Sequence, residues 1–408
     1  MDRSNQAANI AALKIEFHKE LLSIADWWSI HAVDHIHGGF HGEVDARNNA
    51  VSNANKGIIL NARILWFFSE TALHTTGEAN NTRYRECATR AYEYIIQHFL
   101  DTEYGGMYWE MDVNGRPVNT RKQVYAQAFT IYALSAYFKL NHDREALDHA
   151  LQLFKLLESK AIDDKDQGYL EAFARDWSPV DDWRLSNIDL NYPKSQNTHL
   201  HVLEAYTALH DVYPVTEVKA SLRYSIQMFD RFMINRDNHH LRMFMDMQWK
   251  DFSPGYTYGH DIEAAWLIAK ALESLRDEEY TAALMPTLLR VAEVALQEAV
   301  AGTGQLLNAY IFKTGTVDKS SMWWVQAEAL VGFLFAYAKT HDKRYFGAAE
   351  GIWQFIKQHQ IDHVNGEWFW LADNDRTDGK EHYKVGFWKC PYHNGRAMME
   401  AVRYLEKV

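Results

Sequence analysis

Apolar residues recur at every third or fourth position over long stretches of this chain, and between those stretches the rhythm changes. Gly57 to Thr71, GIILNARILWFFSET, and Val124 to Leu140 carry the spacing that places apolar side chains on a helical face. Seven prolines in 408 residues leave most such stretches unbroken, so helix dominates the expectation. Between the helices a short phrase returns, opening on a turn residue and then alternating apolar and aromatic positions in the two-residue period of a strand. It reads HGGFHGEVD at 37–45, YGGMYWEMD at 104–112, QGYLEAFARDW at 167–177, HHLRMFMDMQW at 239–249, GQLLNAYIF at 304–312 and NGEWFWLAD at 365–373. Marked at Gly39, Gly106, Gly168, His240, Gln305 and Gly366, the phrase returns about every 60–70 residues, the period of a repeat architecture.

Each unit would be a helix pair plus a short hairpin segment. An open helical solenoid satisfies that period, and so do two stacked helical domains. A closed ring also explains why no linker and no polar terminal repeat interrupts the chain. The expectation is therefore an all-α fold, a single (α/α)6 barrel over residues 1–408: a toroid of six helical hairpins with short β-hairpin segments between repeats.

Composition narrows the function. An apolar share of 47% with 24% charged residues is that of a globular protein rather than a disordered or coiled-coil one. No run of eighteen apolar residues occurs, and the N-terminal residues lack an apolar stretch with a cleavage site, so no membrane partner and a cytoplasmic location are expected. Two cysteines, Cys87 and Cys390, cannot make a disulfide framework and suit a reducing compartment. A net charge of −12 without basic clusters argues against nucleic acid. The expected partner is a small molecule, and a monomer is expected rather than a dimer.

In a ring, a site must draw on several repeats. Polar or aromatic residues on otherwise apolar helices include Arg63, Tyr125, Asn197 with His201, His260 with Glu263, Trp323 and Trp324 with Glu328, and Trp388 with His393, and they follow the repeat period. Arg63, inside NARILWFF, must either pair with a carboxylate or face a polar pocket, because a lone buried guanidinium is expensive. Asn197 and His201 share a helical face, whereas His199 points elsewhere. His260 and Glu263 stand one turn apart near a helix start, where a carboxylate can orient an imidazole that exchanges protons near neutral pH, or where Asp261 caps the helix. A metal held by His260, Glu263 and another histidine lacks the HExxH or cysteine spacing such sites use. Tryptophans such as Trp324 can cover the apolar face of a sugar. Pro391 suits a first helical turn and places His393 beside free N–H groups; Cys390 has only that neighbour to recommend it as a nucleophile.

The phrases KGIILNARILWFFS, RKQVYAQAFTIYALS, QNTHLHVLEAY, YGHDIEAAWL, WWVQAEALVGF and FWKCPYHNGRAMMEA resemble the cellobiose 2-epimerase branch of the N-acylglucosamine 2-epimerase family, in order along nearly the whole chain. The resemblance implies an (α/α)6 barrel, no metal, no other cofactor, and reversible inversion at C2 of a reducing aldose. It carries the acid/base pair onto His260 and His393, a third histidine onto His201 and an arginine onto Arg63. One imidazole would remove the C2 proton of the opened sugar to give a cis-enediolate, the other would return a proton on the opposite face, and Arg63 would stabilise the developing charge. Asn197, Glu263 and Glu328 would position hydroxyls and imidazoles, and Tyr125, Asp189, Trp249 and Trp388 would line the rest, the last three nearer a second sugar unit.

Two positions depart from the family pattern: Gln123 follows Lys122, and Gln196 precedes Asn197. They bear on substrate size, a β-1,4-linked disaccharide such as cellobiose against free mannose or glucose, and Asp189 with Trp388 favours the disaccharide. An aldose–ketose isomerase shares the same enediolate. A glycoside hydrolase using Glu263 and Glu328 would leave the three histidines without a task.

Overall fold

The computed structural model describes residues 3–375 and 382–408. Its inner helices are α2 (Ile58–His74), α4 (Val124–Asn141), α6 (Gln196–Val212), α8 (Tyr258–Leu275), α10 (Trp323–Thr340) and α12 (Tyr392–Leu405). They pack side by side in that order, and α12 meets α2, which closes a ring. Outside it, α3 (Asn81–Tyr94), α5 (Arg144–Lys160), α7 (Thr216–Met228), α9 (Glu278–Ala299) and α11 (Lys343–Phe355) each cover the inner helix that precedes them. The helix α1 (Arg3–His31) covers α12, so the sixth hairpin joins the two ends of the chain. The barrel expected from the repeat period is what forms.

The two layers follow from two patterns of apolar residues. In α2 every residue from Ile58 to Ser69 is buried, as a helix apolar on all sides requires. In α5 only Ala146, Leu147, Ala150, Leu153, Phe154 and Leu157 are buried, a single stripe at helical spacing with solvent on the other face.

The recurring phrase forms a turn closed by one antiparallel bridge: Val33 with Phe40, Leu100 with Met107, Ile162 with Tyr169, Ile234 with Leu241, Val300 with Leu306 and Ile361 with Trp368. Beyond the bridge it pairs with the two or three residues that lead into an inner helix. Glu110–Met111 lies against Lys56–Gly57, Ala172–Phe173 against Lys122–Gln123, Phe244–Met245 against Lys194–Ser195, and Ala309–Ile311 against Gly255–Thr257. The segments therefore gather at the end of the ring where the inner helices begin.

Two devices hold the turns there, at least one of them at each turn. In four repeats a buried lysine before the inner helix reaches the aspartate that starts the turn: Lys56 to Asp34 at 2.8 Å, Lys122 to Asp101 at 2.9 Å, Lys194 to Asp163 at 2.7 Å and Lys384 to Asp362 at 2.7 Å. The same carboxylates accept from turn N–H groups, so neither charge lies buried alone. Second, the fourth residue of the inner helix fastens the bridge backbone: Gln127 to Met107, His199 to Tyr169, Asp261 to Leu241 and Gln326 to Leu306. His199 and Asp261 are thus structural equivalents of two glutamines.

Candidate active site

The polar residues singled out on the inner helices lie within the first six residues of each, on the end of the ring that the turns surround. Helix geometry brings them together, because six inward-facing N-terminal turns converge on one axis.

Arg63 is buried, with Nη2 donating to the Tyr125 hydroxyl at 2.7 Å. Its guanidinium lies over the rings of Phe129, at 4.2 Å, and Tyr392, at 4.6 Å. Among the described residues no carboxylate pairs with it, and its buried Nε has no partner. The carboxylate pairing that the sequence left open for Arg63 is not seen among the described residues; its surroundings are aromatic rings, the Tyr125 hydroxyl and the Cys390 thiol.

Each histidine is anchored through Nδ1. His201 meets Glu204 at 3.0 Å, His393 meets Glu328 at 2.7 Å, and His260 meets the Thr257 hydroxyl at 2.6 Å. None of the three Nε2 atoms has a protein partner among the described residues. His260 and His393 both stand against Trp324, with ring centroids 4.7 and 5.7 Å away, and His201 lies edge-on to Tyr125 at 5.0 Å. Burial pushes His201 down to about 4 against the pull of Glu204. Burial, then His201, brings His260 to about 3, and burial with Arg63 and Arg396 holds His393 well below its usual range. At neutral pH all three rings are unprotonated and able to accept a proton.

Behind the histidines lies an ion cluster of which the sequence reading selected Glu263 and Glu328 but not Arg396, Glu204 or Tyr392. Arg396 is 1% exposed and donates to Glu204 at 2.5 Å, Glu263 at 2.5 Å, Glu328 at 2.7 Å and the Tyr392 hydroxyl. Burial raises Glu204, but Arg396 and His201 outweigh it and bring the carboxyl to about 2. Burial, then Glu328, pushes Glu263 well above the usual carboxylate range. The signal was present: Glu204 stands one helical turn after His201, and Arg396 one turn after His393.

Donor atoms of Glu263, Glu328 and His393 lie within 4.8 Å of one another, as metal ligands would. The guanidinium of Arg396 already bonds both carboxylates and opposes a cation there.

The remaining expectations divide. Asn197, Asp189 and Gln196 border a cavity of about 50 Å³ together with His260 and Met243. Trp388, 6.2 Å from Tyr125, borders a second cavity of about 330 Å³ with Trp109, Arg121 and Ser186. Arg184 and Leu185 border both, and Gln123 donates to the Arg184 carbonyl at 2.9 Å, so this departure anchors the wall between them. Asp189 also holds its own loop by accepting from the Ser186 N–H and hydroxyl.

Trp249 does not belong to the cluster. Its ring stacks on Phe232 at 4.4 Å, lies under Lys194, and donates to the Asp166 carbonyl at 2.8 Å, which makes it a wedge beneath a repeat turn. The buried tryptophan that serves the site is Trp266, whose Nε1 donates to Glu328 at 3.0 Å.

Comparison with known proteins agrees with this arrangement. The profile of the N-acylglucosamine 2-epimerase (GlcNAc 2-epimerase) family matches residues 38–397. A cellobiose 2-epimerase of Bacteroides fragilis is 40% identical over 389 residues, covering 95% of this chain and 98% of that protein. One from Dictyoglomus turgidum is 36% identical, covering 97% and 99%. The structure of cellobiose 2-epimerase from Bacillus thermoamylovorans superposes with a TM-score of 0.89 at 35% identity, over 98% of this chain and 100% of that one. The ring, the converging histidines and these likenesses together place the chain in the N-acylglucosamine 2-epimerase family, on its cellobiose 2-epimerase branch.

Proposed function

We propose that this sugar epimerase inverts C2 of the reducing-end glucose or mannose unit of a β-1,4-linked disaccharide such as cellobiose, with His260 and His393 as the proton carriers. The observation that carries this reading is the pair of unprotonated imidazoles flanking Trp324, each tethered at Nδ1 and free at Nε2. Inversion at carbon needs two such groups on two faces. His201, tethered to Glu204, handles O1 or O5 as the ring opens. One imidazole then takes the C2 proton to leave an enediolate; the other, protonated from solvent once that negative charge faces it, delivers this proton to the opposite face, and the first gives its own up to solvent. Among the described residues no carboxylate neutralises Arg63, and with Tyr125 it offers donors to the enediolate oxygens. The negative charge facing both rings raises their proton affinity during the step, which is when the returning imidazole must hold its proton. Glu328 steadies the imidazolium of His393.

The cavity beside Trp388 and Trp109 supports a disaccharide, since it offers a second sugar aromatic walls and the polar groups of Arg121 and Ser186. Two free buried thiols suit the cytoplasm.

Incubation with cellobiose, and separately with mannose, in D2O without added metal tests the proposal by NMR. Deuterium at C2 of a gluco/manno mixture is expected, faster with cellobiose. A ketose product would assign an isomerase, free glucose from cellobiose a hydrolase, and no exchange with either sugar would sink the mechanism.

A further inference from the structure

The sixth turn is fastened to its inner helix in a different way from the four before it. At those four the fourth residue of the inner helix reaches the bridge backbone, but the fourth residue of α12 is Gly395. A Cβ there would stand 2.3 Å from the ring of Phe67, because α12 and α2 approach closely where the ring closes. The clamp runs in the opposite direction instead. Glu367, in the sixth turn, reaches α12: its Oε1 accepts from Asn394 Nδ2 at 2.8 Å and from Lys389 Nζ at 2.7 Å, and its Oε2 accepts from Trp28 Nε1 of α1 at 2.7 Å.

The backbone shows that this side chain is placed against a local preference. Glu367 has φ 63°, in the left-handed region, whereas the residues five places after Asp34, Asp101 and Asp163 are Gly39, Gly106 and Gly168, with φ of 60°, 75° and 89°. Glycine enters that region without a steric penalty and glutamate does not, so the turn accepts strain to carry a carboxylate there. Buried Lys389 balances the charge of Glu367, and the two other donors complete its hydrogen bonding.

Asn394 follows His393 in the first turn of α12. His393 is therefore held twice: its Nδ1 meets Glu328 of α10, and the next residue along the backbone is tied to the sixth turn. We propose that Glu367 is a positioning residue, which sets the His393 imidazole against the substrate by gripping Asn394. The proposal rests on the epimerase reading for the task of His393.

The test compares kcat and KM for cellobiose and mannose in Asn394→Ala, Glu367→Gln and the two combined, together with urea unfolding and 15N NMR of the histidine side chains. Glutamine offers one acceptor oxygen to three donors, so whichever way its amide turns, a donor faces a donor. Where Glu367→Gln fails to fold because Lys389 is left without its anion, Glu367→Gln with Lys389→Met takes its place, alone and in the combination. Each single change should lower kcat about 10- to 100-fold on both sugars, with KM within about threefold. The combined variant should be no slower than the slower single one, since both changes break one link. The His393 ring signals should shift while those of His260 stay. Trp353→Phe removes a second link between α1 and the last repeat, the bond to Glu16 at 2.7 Å, without touching Glu367; it should lower the urea midpoint and leave kcat within about twofold. A folded Glu367 variant with kcat within about twofold of the parent, or with unmoved His393 signals, would overturn the proposal. So would losses that multiply in the combined variant, or an equal loss of kcat in Trp353→Phe. A parent that leaves C2 unexchanged would sink the epimerase reading instead, and the His393 signals then decide the positioning alone.

Discussion

Glu328→Gln tests how the ion cluster serves the histidines. Glu328 accepts from His393 Nδ1 at 2.7 Å, from Arg396 at 2.7 Å and from Trp266 at 3.0 Å. Glutamine keeps the shape and removes the charge. When His393 becomes an imidazolium it then lacks a charge-assisted bond worth about 1.5–3 kcal/mol, so kcat should fall about 10- to 150-fold, with KM changed less than about threefold. The fold should tolerate the change. Glu328 is the second cause, after burial, that raises Glu263; without it Glu263 ionises more readily and takes over as an anion beside Arg396. The stability cost should therefore stay below about 2 kcal/mol, less than the usual loss on breaking a buried ion pair. Steady-state kinetics with cellobiose, urea unfolding and carboxyl-region NMR of 13C-glutamate-labelled protein measure the three consequences. A folded variant with kcat within twofold of the parent would refute the role given to Glu328, and a Glu263 carboxyl signal that does not move would refute its coupling to Glu328.

Three further outcomes are expected. His201 titrates near 4 in the fold and His199 near 3, both below the 6.5 of an unfolded histidine, so the folded protein binds fewer protons and loses stability as pH drops below 6.5. At pH 5 the loss is about 2 kcal/mol for each, and a His199→Gln variant whose stability difference between pH 7 and 5 equals the parent's would contradict it. Lys194→Met leaves Asp163 buried without its cation and should cost about 3–5 kcal/mol, whereas Lys122→Met leaves Asp101 paired with Arg175 at 3.0 Å and should cost less; urea midpoints in the reverse order would contradict the turn-anchoring account. Trp266→Phe should lower kcat while Trp249→Phe lowers stability and spares kcat, and equal kinetic effects would contradict the separation of the two rings.

The sequence by itself determined the ring and its axis. A period set by the recurring turn dictates how many hairpins form, and helices apolar on all sides must lie inside, so repeat-equivalent polar residues such as His201, His260, Glu328 and His393 had to converge. Local spacing also separated His199 from His201, because two residues along a helix is more than half a turn. Tertiary structure decided the partners. That Arg396 serves three carboxylates from three different helices, that Arg63 meets aromatic rings, and that Trp266 rather than Trp249 reaches the site all depend on contacts between residues at least 62 positions apart. A periodic pattern states which face of a helix is turned inward. Which atom meets which across the axis depends on side-chain reach and helix tilt, and those arise only when the ring has closed.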